Sequence, residues 1–216
     1  MPPEARWLPL FPLNTVLFPS DALPLQIFEE RYKQMLQDCL DSDSRFGVVL
    51  IKAGSEVGEP AIPHSTGTVA RIVQVNRVEG GRMFISVAGQ QRFVIREITQ
   101  YRPYMAAQVE LLGDEPDADI PPTEMQAIRQ VVSEHVRLSL GLRGGWVREA
   151  RAPSNPTALS YFIAGLLPVG PQEKQALLEE PTVSKRLEAE LDLLRREVEP
   201  MKRRVASELR SRYSRQ

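Results

Sequence analysis

The chain has 216 residues, a formal net charge of −1 and a pI near 6.2, with 42% hydrophobic and 25% charged residues. This is ordinary globular composition, enough for one large domain or two small ones, and the balanced charge argues against a polyanionic partner such as nucleic acid. Cys39 is the only cysteine, which excludes an internal disulfide and a multi-cysteine metal site. The N-terminus lacks the basic start and apolar run of a signal peptide, and no stretch approaches the apolar length of about 20 residues that spans a bilayer, so a cytoplasmic protein without a membrane segment is expected.

Trp7 to Leu25 is apolar but interrupted by Pro9, Pro12, Pro19 and Pro24. Each proline removes a backbone donor, which predicts edge strand and turns. From Phe28 to Leu40 the period changes. Phe28, Tyr32, Met35, Leu36, Cys39 and Leu40 recur at helical spacing, with Glu29, Glu30, Arg31, Lys33 and Asp38 opposite. Cys39 on the apolar side reads as a small core residue.

Val48 to Ile51 is a short apolar strand, and the Gly- and Pro-rich stretch from Lys52 to Gly67 reads as a surface loop. A strand from Thr68 turns at Glu79-Gly80-Gly81 and returns through Arg82 to Val87. Gly89-Gln90-Gln91 is read as a turn before Arg92 to Ile98, and Tyr101-Arg102-Pro103 as another before Tyr104 to Leu112. In this last strand Met105, Ala107, Val109 and Leu111 share one face, the alternation of a half-buried strand. Short strands joined by local turns predict a curled antiparallel sheet.

The acidic, proline-bearing stretch from Gly113 to Pro122 is the natural boundary between a β-rich part, 1–116, and a helical part, 117–216. Thr123 with Gln126 is read as a capping box for a helix ending at Gly141. Its apolar stripe holds Met125, Ile128, Val132 and His135, the histidine being a structural rather than metal-binding group because no second ligand stands one turn away. Asn155-Pro156 opens a helix in the cap-then-proline manner. Further helices run from Gln172 to Glu180 and from Pro181 onward. In the last, Leu187, Leu191, Leu194, Val198, Met201 and Val205 form a heptad seam, which Pro200 is expected to kink or end, leaving a basic tail.

The order LPLFPLNTVLFPSDALPLQIFEERYKQML, together with Gly67-Thr68-Val69-Ala70, Gly89-Gln90-Gln91-Arg92-Phe93 and the helical segments LSYFIAGLL, EKQALLE and KRLEAELDLL, resembles the Lon N-terminal domain, the substrate-recognition module that begins ATP-dependent Lon proteases. The likeness runs from Trp7 to about Arg196. It implies an α+β fold, a PUA-like antiparallel β pseudo-barrel with one packed helix followed by a helical bundle. It also implies a non-catalytic role in binding unfolded or extended polypeptides, with a protease or chaperone as a further partner.

Catalytic motifs are missing. Lys33, Lys52, Lys174, Lys185 and Lys202 all follow residues other than glycine, which removes the Gly-Lys pair of a phosphate-cradling loop. No two glycines are separated by one residue, which removes a dinucleotide fingerprint, and no serine stands midway between two glycines four positions apart, so no Gly-x-Ser-x-Gly elbow occurs. His64 and His135, the only histidines, stand apart from any metal motif. No catalytic, cofactor-binding or metal-ligating residue is therefore assigned, and no ATPase or Ser-Lys peptidase is expected.

Leu10, Phe11, Phe18 and Leu25 in the proline-rich strands, where an extended peptide would find a groove or sheet edge, are the candidate peptide-binding residues. Trp146 joins them, being either an anchor on the core or an exposed contact in a basic, glycine-rich loop. The alternative function is an RNA-binding PUA-like protein, which the arginine content favours and the balancing acids oppose. An unrecognised hydrolase is a third, weaker reading. The seam before Pro200 spans about two heptads, too few for a self-sufficient coiled coil, which favours internal packing and a monomer.

Overall fold

The computed structural model describes residues 5–56, 58, 61–78, 80–114, 120–142 and 152–213. The elements in chain order are β1 (Ala5–Leu13), β2 (Ala22–Ile27), α1 (Glu30–Leu40), β3 (Arg45–Ala53), β4 (Ile62–Arg77), β5 (Met83–Gln100), β6 (Met105–Leu112), α2 (Pro122–Leu142), α3 (Pro156–Leu166), α4 (Pro171–Glu179) and α5 (Val183–Tyr213). They divide into two compact units. The first is Met1–Asp114 with Val169–Pro181, and the second is Glu115–Pro168 with Thr182–Gln216. Helix α4, expected with the helical part after residue 117, thus belongs to the β-rich unit.

In the first unit the strands follow the order β2-β5-β4-β3-β1-β6, and a second pairing of β5 with β6 closes the sheet. The α+β class is as expected, but the sheet is mixed, because β1 runs parallel to β3. Nor is β1 an edge strand, although it contains Pro9 and Pro12. Its ladders to β6, over Ala5 to Leu10, and to β3, over Leu10 to Leu13, overlap only at Leu10. Each proline therefore has a paired neighbour on one side only, and its missing N–H costs no bond on the other.

Alternate residues of β1 feed two cores. Leu8 and Leu10 join Val49, Val69, Phe93, Met105 and Val109, while Phe11 and Leu13 join α1 residues Tyr32, Met35, Leu36 and Cys39 with Phe46, Ile85 and Val87. Phe93 lies on a floor without side chains. A Cβ at Gly47 or Gly67 would stand 2.6 or 2.8 Å from its Cζ. Burial pushes the Cys39 thiol up to about 12, with Asp43 and Asp38 adding to it, so it is an unreactive core group.

The expected turn at Gly89-Gln90-Gln91 is instead the middle of β5, an 18-residue strand. Its first half pairs with β2 and its second half with β6, and register with β4 shifts between Thr68 and Ala70. Gly89 is required there for space. Its backbone meets the loop before β2, with Ser20 N–H donating to Gly89 O at 2.9 Å and Gly89 N–H to Asp21 O at 2.8 Å. A Cβ would sit 2.1 Å from the Phe18 carbonyl oxygen.

Three residues on, the Arg92 guanidinium, 1% exposed, donates to Leu178 O, Glu180 O, Gly113 O and Asp114 Oδ1 at 2.9 to 3.1 Å. Gln175 Nε2 adds a bond to Thr66 O at 3.0 Å. These bonds hold α4 and the end of β6 to the sheet and explain why α4 belongs to this unit. A buried charge is tolerable only when so partnered.

In the second unit α5 packs against α2 and α3. Met125, Ile128, Val132 and His135 of α2 are buried, as are Leu187, Leu194, Val198 and Met201 of α5. Asn155 caps α3 through its side chain, accepting from Ala158 N–H at 3.0 Å. The capping box read at Thr123 is not formed, because α2 begins at Pro122 and Thr123 lies inside it. Nor does Pro200 end α5, which continues to Tyr213. Pro200 and Arg196, whose carbonyl loses its donor, both lie on the exposed side, where water can take the bond. The expected tail therefore begins as packed helix, with Met201 buried and Lys202 bonded to Glu134 at 2.9 Å.

A buried relay crosses from α5 to α3. Arg186 Nε donates to Ser160 Oγ at 2.6 Å, leaving the hydroxyl proton for Glu190 Oε1 at 2.9 Å. Burial pushes the Glu190 carboxyl up to about 9, opposed by Ser160 and Arg186.

Gly89→Ala should destabilise the first unit by about 1–3 kcal/mol through overpacking, read by urea denaturation. Gly141→Ala, in a helix with nothing within 4 Å of the added Cβ, should be neutral or mildly stabilising. Burial lowers the His135 pKa below its ordinary 6.5, with Glu197 opposing, and neither ring nitrogen has a hydrogen-bond partner among the described residues. The unfolded chain then binds the proton more readily, so stability should be full above pH 6.5 and fall as pH drops below it. In denaturation midpoints between pH 7.5 and 5.5, His135→Leu should lose this component of the pH dependence.

Candidate functional site

β2 alternates: Leu23, Leu25 and Ile27 turn inward, while Ala22, Pro24 and Gln26 are exposed. It pairs only with β5, from Ala22 opposite Ala88 to Ile27 opposite Met83. Its other edge has no strand partner among the described residues. Pro24 fits such a strand, since an edge is where a missing N–H breaks no ladder.

Two hollows flank this edge and share Pro24, Leu25 and Gln26. The inner one, about 200 Å³, is lined also by Phe11, Leu13, Ile27, Phe28, Glu29, Tyr32 and Glu56. The outer one, about 280 Å³, is lined also by Asn76, Phe84, Ile85 and Ser86. Phe28 is 51% exposed and Phe84 45% exposed, so each hollow carries a large aromatic surface open to solvent. Since successive side chains of a strand point to opposite faces, a strand laid along β2 would send alternate side chains into the two hollows.

The inner hollow has a fixed floor and an acidic rim. The Phe11 and Tyr32 rings lie 4.2 Å apart between centroids. The Arg31 guanidinium stands 4.6 Å over Tyr32, pairs with Glu29 at 2.9 Å and donates to Glu56 O at 3.2 Å. The Glu56 carboxylate accepts from Asn14 N–H. Burial raises the Tyr32 pKa, with Arg31 opposing. At the entry to β2, burial pushes Asp21 up to about 6 against the pull of Lys174. Burial in turn lowers Lys174, with Asp21 opposing. The fold favours protonated Asp21, so that contribution is present below the ordinary carboxylate range and lost as pH rises through about 6.

Of the residues anticipated for peptide binding, Leu25 stands between the hollows and Phe11 floors one of them. Leu10 and Phe18 are fully buried at 0% exposure, beyond reach of a docking chain, because both side chains are spent on the core. Trp146 lies outside the described residues. Phe28, Tyr32, Phe84, Glu29 and Glu56 were not anticipated as site residues. The helical period places Phe28 in the apolar stripe of α1, but the helix begins at Glu30, with Glu29 as an extended N-cap, and Phe28 is left outside. For Phe84 the signal was present, since Ile85 and Val87 inward force it outward in strict alternation. Among the described residues no three His, Cys, Asp or Glu side chains converge to hold a metal ion, and no helix is long and apolar enough to cross a membrane.

The model of the ATP-dependent protease La (LON) substrate-binding domain matches residues 7–196. Lon protease 2 of Myxococcus xanthus is 30% identical over 199 residues, covering 90% of this chain and 24% of that protein. Lon protease of Rhizobium meliloti is 30% identical over 219 residues, covering 99% and 27%. The chain thus spans about a quarter of the length of the curated relatives it matches. Among solved structures, a Lon N-terminal domain protein from Xanthomonas campestris superposes with a TM-score of 0.67 at 26% identity, covering 87% of this chain and 98% of that one. The N-terminal domain of Mycobacterium avium complex Lon protease, at 21% identity and a TM-score of 0.61, shares the fold. With most of its length matched, the chain belongs to the LON substrate-binding domain family.

Proposed function

We propose that the chain is a non-catalytic polypeptide-recognition module that takes an extended, apolar segment as an added strand along the free edge of β2. The observation that carries this reading is the pair of hollows on either side of one unpartnered edge strand, sharing Pro24 to Gln26. Backbone bonds to the edge supply sequence-independent affinity, and the hollows select alternate side chains. The substrate-binding name of the family and the protease names of its relatives support a role in presenting such segments to proteolysis, as domain or adaptor.

The energetics suit a transient binder. One Leu or Phe side chain removed from water contributes roughly 1.5–3 kcal/mol, and a net backbone hydrogen bond about 0.5–1.5 kcal/mol. Ordering the segment costs about 2–5 kcal/mol or more, which offsets much of that gain.

The test is fluorescence anisotropy of a labelled peptide with alternating Leu and Phe. Phe28→Ser combined with Phe84→Ser, both at exposed positions that spare the core, should weaken binding at least about tenfold, the loss of one buried side chain. N-methylation of alternate peptide amides should abolish binding in one phase of the alternation and spare it in the other. Binding unchanged by both treatments would sink the edge-strand reading.

A further inference from the structure

Among the described residues, the charged groups that line the inner hollow are Glu29 and Glu56, and no base lines it. Arg31, which pairs with Glu29, stands behind the Tyr32 ring and lines a different hollow with Pro12, Ser55 and Tyr101. One guanidinium thus faces two carboxylates, and the rim keeps an excess of negative charge over an apolar floor. The outer hollow, with Asn76, Phe84 and Ser86, has no charged lining residue among those described. The two faces of β2 therefore differ in charge as well as position.

Resting on the edge-strand reading above, we infer that the segment recognised carries a Lys or Arg two residues from the apolar side chain seated over Phe11 and Tyr32. Residues two apart in a strand share a face, so the apolar group fills the floor while its same-face neighbour brings a cation to Glu29 and Glu56. A base one residue away falls over the uncharged outer hollow and gains nothing. Lysine and arginine also suit a rim because their stems cover apolar surface while the charged head stays in water. Opposite charge across a binding surface sets partner choice and register more than raw affinity. The inner hollow would thus fix both the direction of side chains and the phase in which an extended segment docks.

The experiment compares three peptides with the same alternating apolar core: lysine at the same-face position, acetyl-lysine at that position, and lysine at the adjacent, opposite-face position. The same-face lysine peptide should bind about threefold to fivefold tighter than the other two, the gain of a partly screened ion pair. The difference should shrink at high salt. Glu29→Gln with Glu56→Gln should erase the preference while retaining binding of the acetyl-lysine peptide. Glutamine keeps an oxygen for the Asn14 N–H, so the loop contact survives. Equal affinity of the three peptides, or a lysine preference that persists in the double variant, overturns the acidic-rim inference and leaves the edge-strand reading standing. Failure of all three to bind overturns both.

Discussion

The placement of the open β2 edge depends on one close approach, that of the Gly89 backbone to the carbonyl of Phe18. The loop that turns the chain from β1 into β2 is held there by two hydrogen bonds, Ser20 N–H to Gly89 O and Gly89 N–H to Asp21 O. Asp21 N–H returns to Phe18 O at 3.1 Å, and Ser20 adopts a φ of 69° to make the corner. β2 starts at the next residue. A side chain at Gly89 would push the loop away and move the start of β2 against β5, so the register that puts Leu25 opposite Ile85 and Gln26 opposite Phe84 is set from this point.

From Gly89 the same strand builds the rest of the unit. Phe93 fills the space that Gly47 and Gly67 leave in β3 and β4, and Arg92 gathers the carbonyls of Gly113, Leu178 and Glu180. Replacing Arg92 by an apolar residue would leave those acceptors unpaired in the interior, the costly side of any buried polar contact. Helix α4 is therefore part of the β unit by hydrogen bonding, although it follows two helices of the other unit in sequence. Within the run from Gly89 to Phe93, Gly89 anchors a loop, Arg92 anchors a helix and Phe93 plugs the core.

Much of this was legible in the sequence. The period change at Phe28, the glycine pair at the β4–β5 turn and the Asn155-Pro156 helix start each have a local cause, and local causes are what residue patterns record. What was missed has a non-local cause. Gly89 looked like a turn because its constraint comes from a loop about seventy residues earlier in the chain. Pro9 and Pro12 looked like edge markers because the split of β1 between two partners appears only once β3 and β6 are in place. Burial separated Leu10 and Phe18 from Leu25, although all are apolar residues in one proline-rich stretch. Phe28 lies two residues before the helix it was assigned to, and that displacement turned a core residue into an exposed wall of the inner hollow.

The proposed recognition surface is the place where, among the described residues, a regular sheet runs out of partners: one strand, pinned at its start by Gly89, with an acidic apolar hollow on one side and a neutral one on the other. The most direct measurement is amide hydrogen exchange of the protein with and without a saturating extended apolar peptide. Slowed exchange at those amides of Ala22 to Ile27 that point away from β5, with the β1–β3 ladder unchanged, is the predicted result. Protection confined to the helical unit, or a bound peptide that leaves the β2 amides as open as before, would contradict recognition at this edge.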